Sequence, residues 1–174
     1  MHQKKQFKLE VDSQRKSDQI QDEIGRIQGF LKIVVRDVTG KVRDVFEFQN
    51  VIVNNLRTQQ SRLLGGDFLP SGNDPITRYI GRVAFGTSGT PETSEDTEIT
   101  DPIFANISSY SYPTEKSVMF SAVVEGDVGN DVQYREAGLM FLAPAPFLAA
   151  RKTFPAIYKS SSWTWTVNWT LAFV

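Results

Sequence analysis

From Trp163 to Phe173 every odd position is large and apolar, whereas the even positions hold Thr164, Thr166, Asn168, Thr170 and Ala172. Successive side chains of an extended strand point to opposite faces, so this alternation sets three tryptophans on one buried face and a threonine row on the other. A helix would scatter both sets around its circumference. The chain must therefore provide further strands, because one strand or one hairpin cannot hold such a face away from water.

Candidates for those partners recur along the chain. Phe30–Arg36 and Val42–Phe48 flank a Thr39-Gly40 turn and read as a hairpin. Thr77–Phe85, Ile103–Tyr112, Ser117–Glu125, Gln133–Leu142 and Phe147–Phe154 are further strand candidates, separated by segments rich in Gly, Pro, Asn and Asp. One helix is expected near 54–64, where Leu56, Leu63 and Leu64 stand among Gln and Arg ahead of Gly65-Gly66. Many short strands without a βαβ rhythm predict an all-β fold, and specifically an antiparallel β-sandwich over residues 29–174 with one short helix.

Residues 1–28 have a different texture. They are rich in Lys, Gln, Asp and Glu, and read as an extended N-terminal arm outside the sandwich. Phe7, Leu9 and Val11 alternate with Lys8 and Glu10 as in a half-buried strand, while Ile20, Ile24 and Ile27 recur at helical spacing. Neither group can bury much apolar surface by itself, so the arm is either a loose tail or a segment that docks on a partner. Under the second reading those six residues are the partner-binding set, and Phe7–Val11 has the pattern of a strand that adds to a neighbour's sheet edge.

The 174 residues suffice for one core but not two, and 19 basic residues against 20 acidic ones give no clustered charge for nucleic acid. The first residues are polar and no apolar run approaches the ~18 needed to span a membrane, so the protein is expected to be made and kept in water. Without cysteine there are no disulfides, thiolate nucleophiles or Cys-based metal sites. The single histidine, His2, lies in the arm, which removes triad chemistry and multi-histidine metal sites from the folded part. The loop Pro91–Asp101 carries five acidic residues, but their spacing does not match a calcium loop, and it reads as solvated and mobile. Gly86–Thr90 lacks the Gly-Lys-Ser/Thr ending of a phosphate loop and reads as a turn. Arg135-Glu136 lies at the start of a strand rather than in a loop, which suits an ion pair or structural hydrogen bonds. No catalytic residue, metal or cofactor is expected, and the tryptophans are assigned to the core rather than to a sugar-stacking platform.

Taken in order, several motifs form a pattern: Asn50-Val-Ile-Val-Asn, the Leu-bearing helix, Ile80-Gly-Arg-Val-Ala-Phe-Gly-Thr87, Tyr134-Arg-Glu-Ala-Gly-Leu139, Leu148-Ala-Ala-Arg151, Phe154-Pro-Ala-Ile-Tyr-Lys159 and the Trp-Thr-Val-Asn-Trp strand. This series, over about residues 29–174, resembles a group of bacteriophage virion proteins, small β-sandwich components associated with tail, neck or fibre. The resemblance implies a non-enzymatic structural subunit, located in the virion after assembly in the host cytoplasm. Its partners would be other virion proteins and further copies of itself in a symmetric assembly. The chain departs from the group in carrying the charged arm and no distal fibre shaft or receptor-binding tip, which favours a connector or decorating role over host recognition. A receptor-recognising carbohydrate-binding module and a capsid decoration protein are the alternatives.

Overall fold

A computed structural model of the chain describes residues 26–64, 79–142 and 147–174. Eight strands and one helix are present among these residues: β1 (Ile27–Asp37), β2 (Val42–Ile52), α1 (Asn54–Leu64), β3 (Tyr79–Gly86), β4 (Ile103–Thr114), β5 (Ser117–Val124), β6 (Val132–Leu142), β7 (Phe147–Lys159) and β8 (Trp163–Phe173). Most strands follow an apolar alternation visible in the sequence, β6 and β7 instead carry continuous buried runs, and α1 lies where the Leu pattern predicts it. The β1–β2 turn is held by Asp37, whose Oδ1 accepts from the backbone N–H groups of Thr39 at 2.9 Å and Lys41 at 3.1 Å. Gly40 there takes a φ of 83°, a conformation that a side chain would resist.

The strands do not form a sandwich. They close into one antiparallel barrel in the order β1-β2-β7-β6-β3-β4-β5-β8, with β8 returning to β1. The β1–β8 ladder is unbroken from Ile27 opposite Phe173 to Asp37 opposite Trp163. Two strands turn what would be two facing sheets into a closed one. β4 pairs with β3 through Ile103–Asn106 and then with β5 from Ile107 onward, passing a register shift between Ile107 and Ser109. β2 pairs with β1 as far as Asn50 and with β7 through Val51 and Ile52. Strands that change partners in this way form the corners of a closed sheet, and inside–outside alternation reads the same for either architecture. Ile27 and Gln28, read in the sequence as the end of the arm, belong to β1.

The interior is filled by the alternating faces. Trp165, Val167 and Trp169 are fully buried, as are Ile33, Val83, Phe85, Ala122 and Leu139. Trp165 stands edge-on to Phe85 and Tyr134, with ring centroids at 5.3 and 5.8 Å. A second, smaller cluster of Val53, Ala84, Ile99, Met140 and Leu148 is separate from this core. Ala84, Met140 and Leu148 have the outward parity of their strands, so this cluster lies on the outside of β3, β6 and β7, beneath residues 87–102. Gly138 allows the close approach: a Cβ there would come within 2.6 Å of Leu148 and 2.7 Å of Ile99.

Candidate functional site

The acidic loop is not a free solvated segment. Residues 87–102 form a strap across the outside of the barrel, anchored by a buried ion pair. Arg151, on β7, donates from Nε and Nη2 to Glu136 Oε2, each at 2.8 Å, and from Nη1 to Asp96 Oδ2 at 2.8 Å. Its Nη2 also donates to the carbonyl of Thr90 at 3.1 Å. Glu136 is fully buried on β6, and its Oε1 accepts from the backbone N–H groups of Ser88 at 3.2 Å and Thr100 at 2.9 Å. A buried carboxylate is tolerated when paired and hydrogen-bonded in this way. Glu92 binds Lys152 Nζ and both the N–H and hydroxyl of Thr153, and Glu95 accepts from the Asn54 side chain at 2.7 Å at the start of α1. Ser88 N–H is already engaged by a carboxylate, which is incompatible with a phosphate cradle at Gly86–Thr90.

Burial alone would raise the Asp96 and Glu92 carboxyls, but hydrogen bonds outweigh it and hold both below their ordinary values of 3.8 and 4.5. For Asp96 these come from Thr93 and Arg151; for Glu92, from Lys152 and Thr153. Groups depressed in the folded state stabilise it above their unfolded values and lose that contribution as pH falls through the folded ones. Thermal stability should therefore be flat near neutrality and fall on acidification below the ordinary carboxylate range. Protease sensitivity of residues 87–102 should rise in the same window, and Asp96→Asn should reduce the acid slope. A strap that stays protected at pH 3 would contradict the assignment.

Lys159 is a second buried charge, at the opposite end of β7 from Phe147. It has no exposure, and its Nζ donates to the carbonyls of Trp163 at 2.6 Å and Ser160 at 3.1 Å and to Asn130 Oδ1 at 3.2 Å. Burial lowers its pKa, opposed by the charges of Asp127 and Glu125. The three acceptors match the three ammonium donors, so this lysine fastens the turns before β6 and β8. Among the described residues, no group of three or more His, Asp or Glu gathers to hold a metal ion.

Two features face outward instead. The first is a barrel mouth at the end where β1 begins and β8 finishes. β3 and β4 share only the pairs from Arg82–Asn106 to Phe85–Ile103, and beyond these pairs lies a cavity of about 710 Å³. Leu171, Phe120 and Phe141 line it, and Tyr79, Tyr110 and Tyr112 stand at its rim with more than half their surface exposed. Barrel mouths of this size and apolar character can take ligands or partner side chains. The aromatic rim was missed in the sequence, because Tyr110 and Tyr112 alternate with serine as ordinary strand residues do.

The second feature is the seam between β2 and β7. Val51 and Ile52 are the only β2 residues in the β2–β7 ladder, although both strands are long. From Val42 to Gln49, β2 has no backbone partner on that side among the described residues. Side chains bridge the gap: Phe48, stacked on Phe46 of its own strand, also stacks on Phe154 of β7 with centroids 5.2 Å apart. Phe46 and Phe48 are half-buried.

Of the six arm residues singled out in the sequence, Ile27 lies in β1, opposite Phe173 and against the core. Phe7, Leu9, Val11, Ile20 and Ile24 lie outside the described residues. Trp165 and Trp169 have no exposure, and Trp163 lies half-buried beneath the Arg43 guanidinium at 4.6 Å, so the tryptophans present no sugar-stacking platform. No protein family matches the chain, and neither a curated protein nor a solved structure matches it.

Proposed function

We propose that the chain is a non-enzymatic structural subunit of a bacteriophage virion, linking or anchoring tail, neck or fibre components through subunit contacts. The observation that supports this reading most is how the polar residues are used. The buried charges Glu136, Arg151 and Lys159 tie strap, strands and turns together, whereas apolar side chains are exposed at the mouth and along β2. Such a division suits a protein whose task is to hold its own shape and present surfaces to neighbours. The segments that carry the resemblance to virion proteins contain these buried charges, together with Tyr134 and Phe154 of the core.

The test is location. Antibody-labelled electron microscopy of purified particles should place the chain at one discrete site of the tail, neck or fibre. Uniform labelling of the head would replace the reading by capsid decoration, and absence from particles would overturn both. A carbohydrate-binding reading is favoured by one observation, the exposed Tyr79, Tyr110 and Tyr112 around the mouth. It requires that oligosaccharides protect these tyrosines from chemical modification.

A further inference from the structure

We infer that the free edge of β2, over Val45–Gln49, accepts the segment Phe7–Val11 from a second copy of this chain as an added antiparallel strand. A closed barrel normally leaves no edge, but among the described residues this one leaves a long edge where the β2–β7 ladder is limited to Val51 and Ile52. The two sides of that seam are unequal. β7 is blocked: the Thr153 N–H is taken by Glu92, and Pro155 has no N–H to offer. β2 carries no proline and no such cap among the described residues. Val53 donates its N–H to Ala149 across the start of the seam at 3.1 Å, so strand alternation turns the N–H and C=O groups of Gln49, Glu47 and Val45 toward the same side.

The side chains beside this edge specify what it can take. Phe46 and Phe48 lie on the inward face, half-buried. An incoming strand with apolar residues at every second position would cover them, and with polar residues between would leave its other face in water beside Glu47. Phe7, Leu9 and Val11, alternating with Lys8 and Glu10, have that pattern.

Chain direction favours a second copy over the chain's own arm. The arm joins β1 at the mouth, where Val174 N–H donates to the carbonyl of Arg26 at 2.8 Å, and β2 runs from the far end toward that mouth. To pair antiparallel with β2, a chain's own Val11 would have to lie toward the far end. Residues 12–25 would then have to reverse direction and run back along the barrel past the whole paired segment to reach Arg26. A neighbour's arm has no such constraint. This inference concerns self-association and does not rest on the virion reading.

The experiment uses the purified full-length chain. Sedimentation over a hundredfold range of concentration should show reversible self-association. Hydrogen exchange at the amides of Val45, Glu47 and Gln49 should slow at least tenfold from the dilute to the concentrated sample. Leu9→Asp, which changes none of the described strands, and Val45→Pro, which removes an edge donor without removing a hydrogen bond to β1, should each weaken association at least tenfold. Circular dichroism should confirm that both remain folded, and failure of Val45→Pro to fold would leave Leu9→Asp to decide. Association unchanged in Leu9→Asp overturns the inference. So does a chain monomeric at every concentration, with protected edge amides pointing to its own arm and exchanging ones to an empty edge.

Discussion

Replacing Arg151 with methionine is expected to lower the free energy of unfolding by about 3–5 kcal/mol, the usual penalty for removing one partner of a buried ion pair. Methionine retains much of the side-chain length, so the loss is one of charge and hydrogen bonds rather than volume. Glu136, with no exposure, would keep its donors at Ser88 and Thr100 but lose its guanidinium, and Asp96 would lose its link to the barrel. Adding Glu136→Gln to that variant should recover part of the loss, because a neutral amide is less costly to bury than an unpaired carboxylate. Glu136→Gln alone should destabilise, so the two changes should be strongly non-additive in a urea-unfolding cycle. A loss of under about 1 kcal/mol for Arg151→Met, or simple additivity of the pair, would show that the strap is held by something else.

The strap marks where sequence reasoning stops. Glu136 and Arg151 were both visible in strand-like segments, and Glu136 suggested an ion pair or structural hydrogen bonds, but its partner stands 15 residues away on the next strand. The acidic loop read as solvated because nothing local indicates that Glu92 and Asp96 meet cations on β7. Such pairings depend on which strands become neighbours. Strand positions, by contrast, were legible throughout, since period-two alternation or a short apolar run bounded by turn residues is written into each segment separately. The difference between sandwich and barrel was not, because it rests on β2 and β4 changing partners at Asn50–Val51 and Asn106–Ile107. At those points the apolar pattern simply continues. Exposure around the mouth was hidden for a related reason: Tyr110 has the parity of a core-facing residue, and only the divergence of β3 from β4 leaves it at a rim.

Trp165→Ala should be the most damaging single truncation on β8, at about 3–5 kcal/mol, since it removes a large fully buried side chain that its surroundings cannot replace. Its neighbours across the ladders are Val35 and Val124, both nearly fully buried, and its ring edges meet Phe85 and Tyr134, whose aromatic contacts add to the loss. A domain of this kind has about 5–15 kcal/mol in total, so the variant should melt many degrees lower or fail to accumulate. Two comparisons keep the result interpretable. Trp165→Phe should lose less, because it leaves an aromatic ring in place and removes an indole N–H that has no acceptor among the described residues. Thr166→Ala, one residue along and facing outward, should change stability by only about 0.5 kcal/mol. If Thr166→Ala proved the more harmful of the two alanine variants, the inward row of β8 would be misassigned. A slip of one residue in the β1–β8 ladder would produce that result, exchanging the tryptophan face for the threonine face along the whole strand.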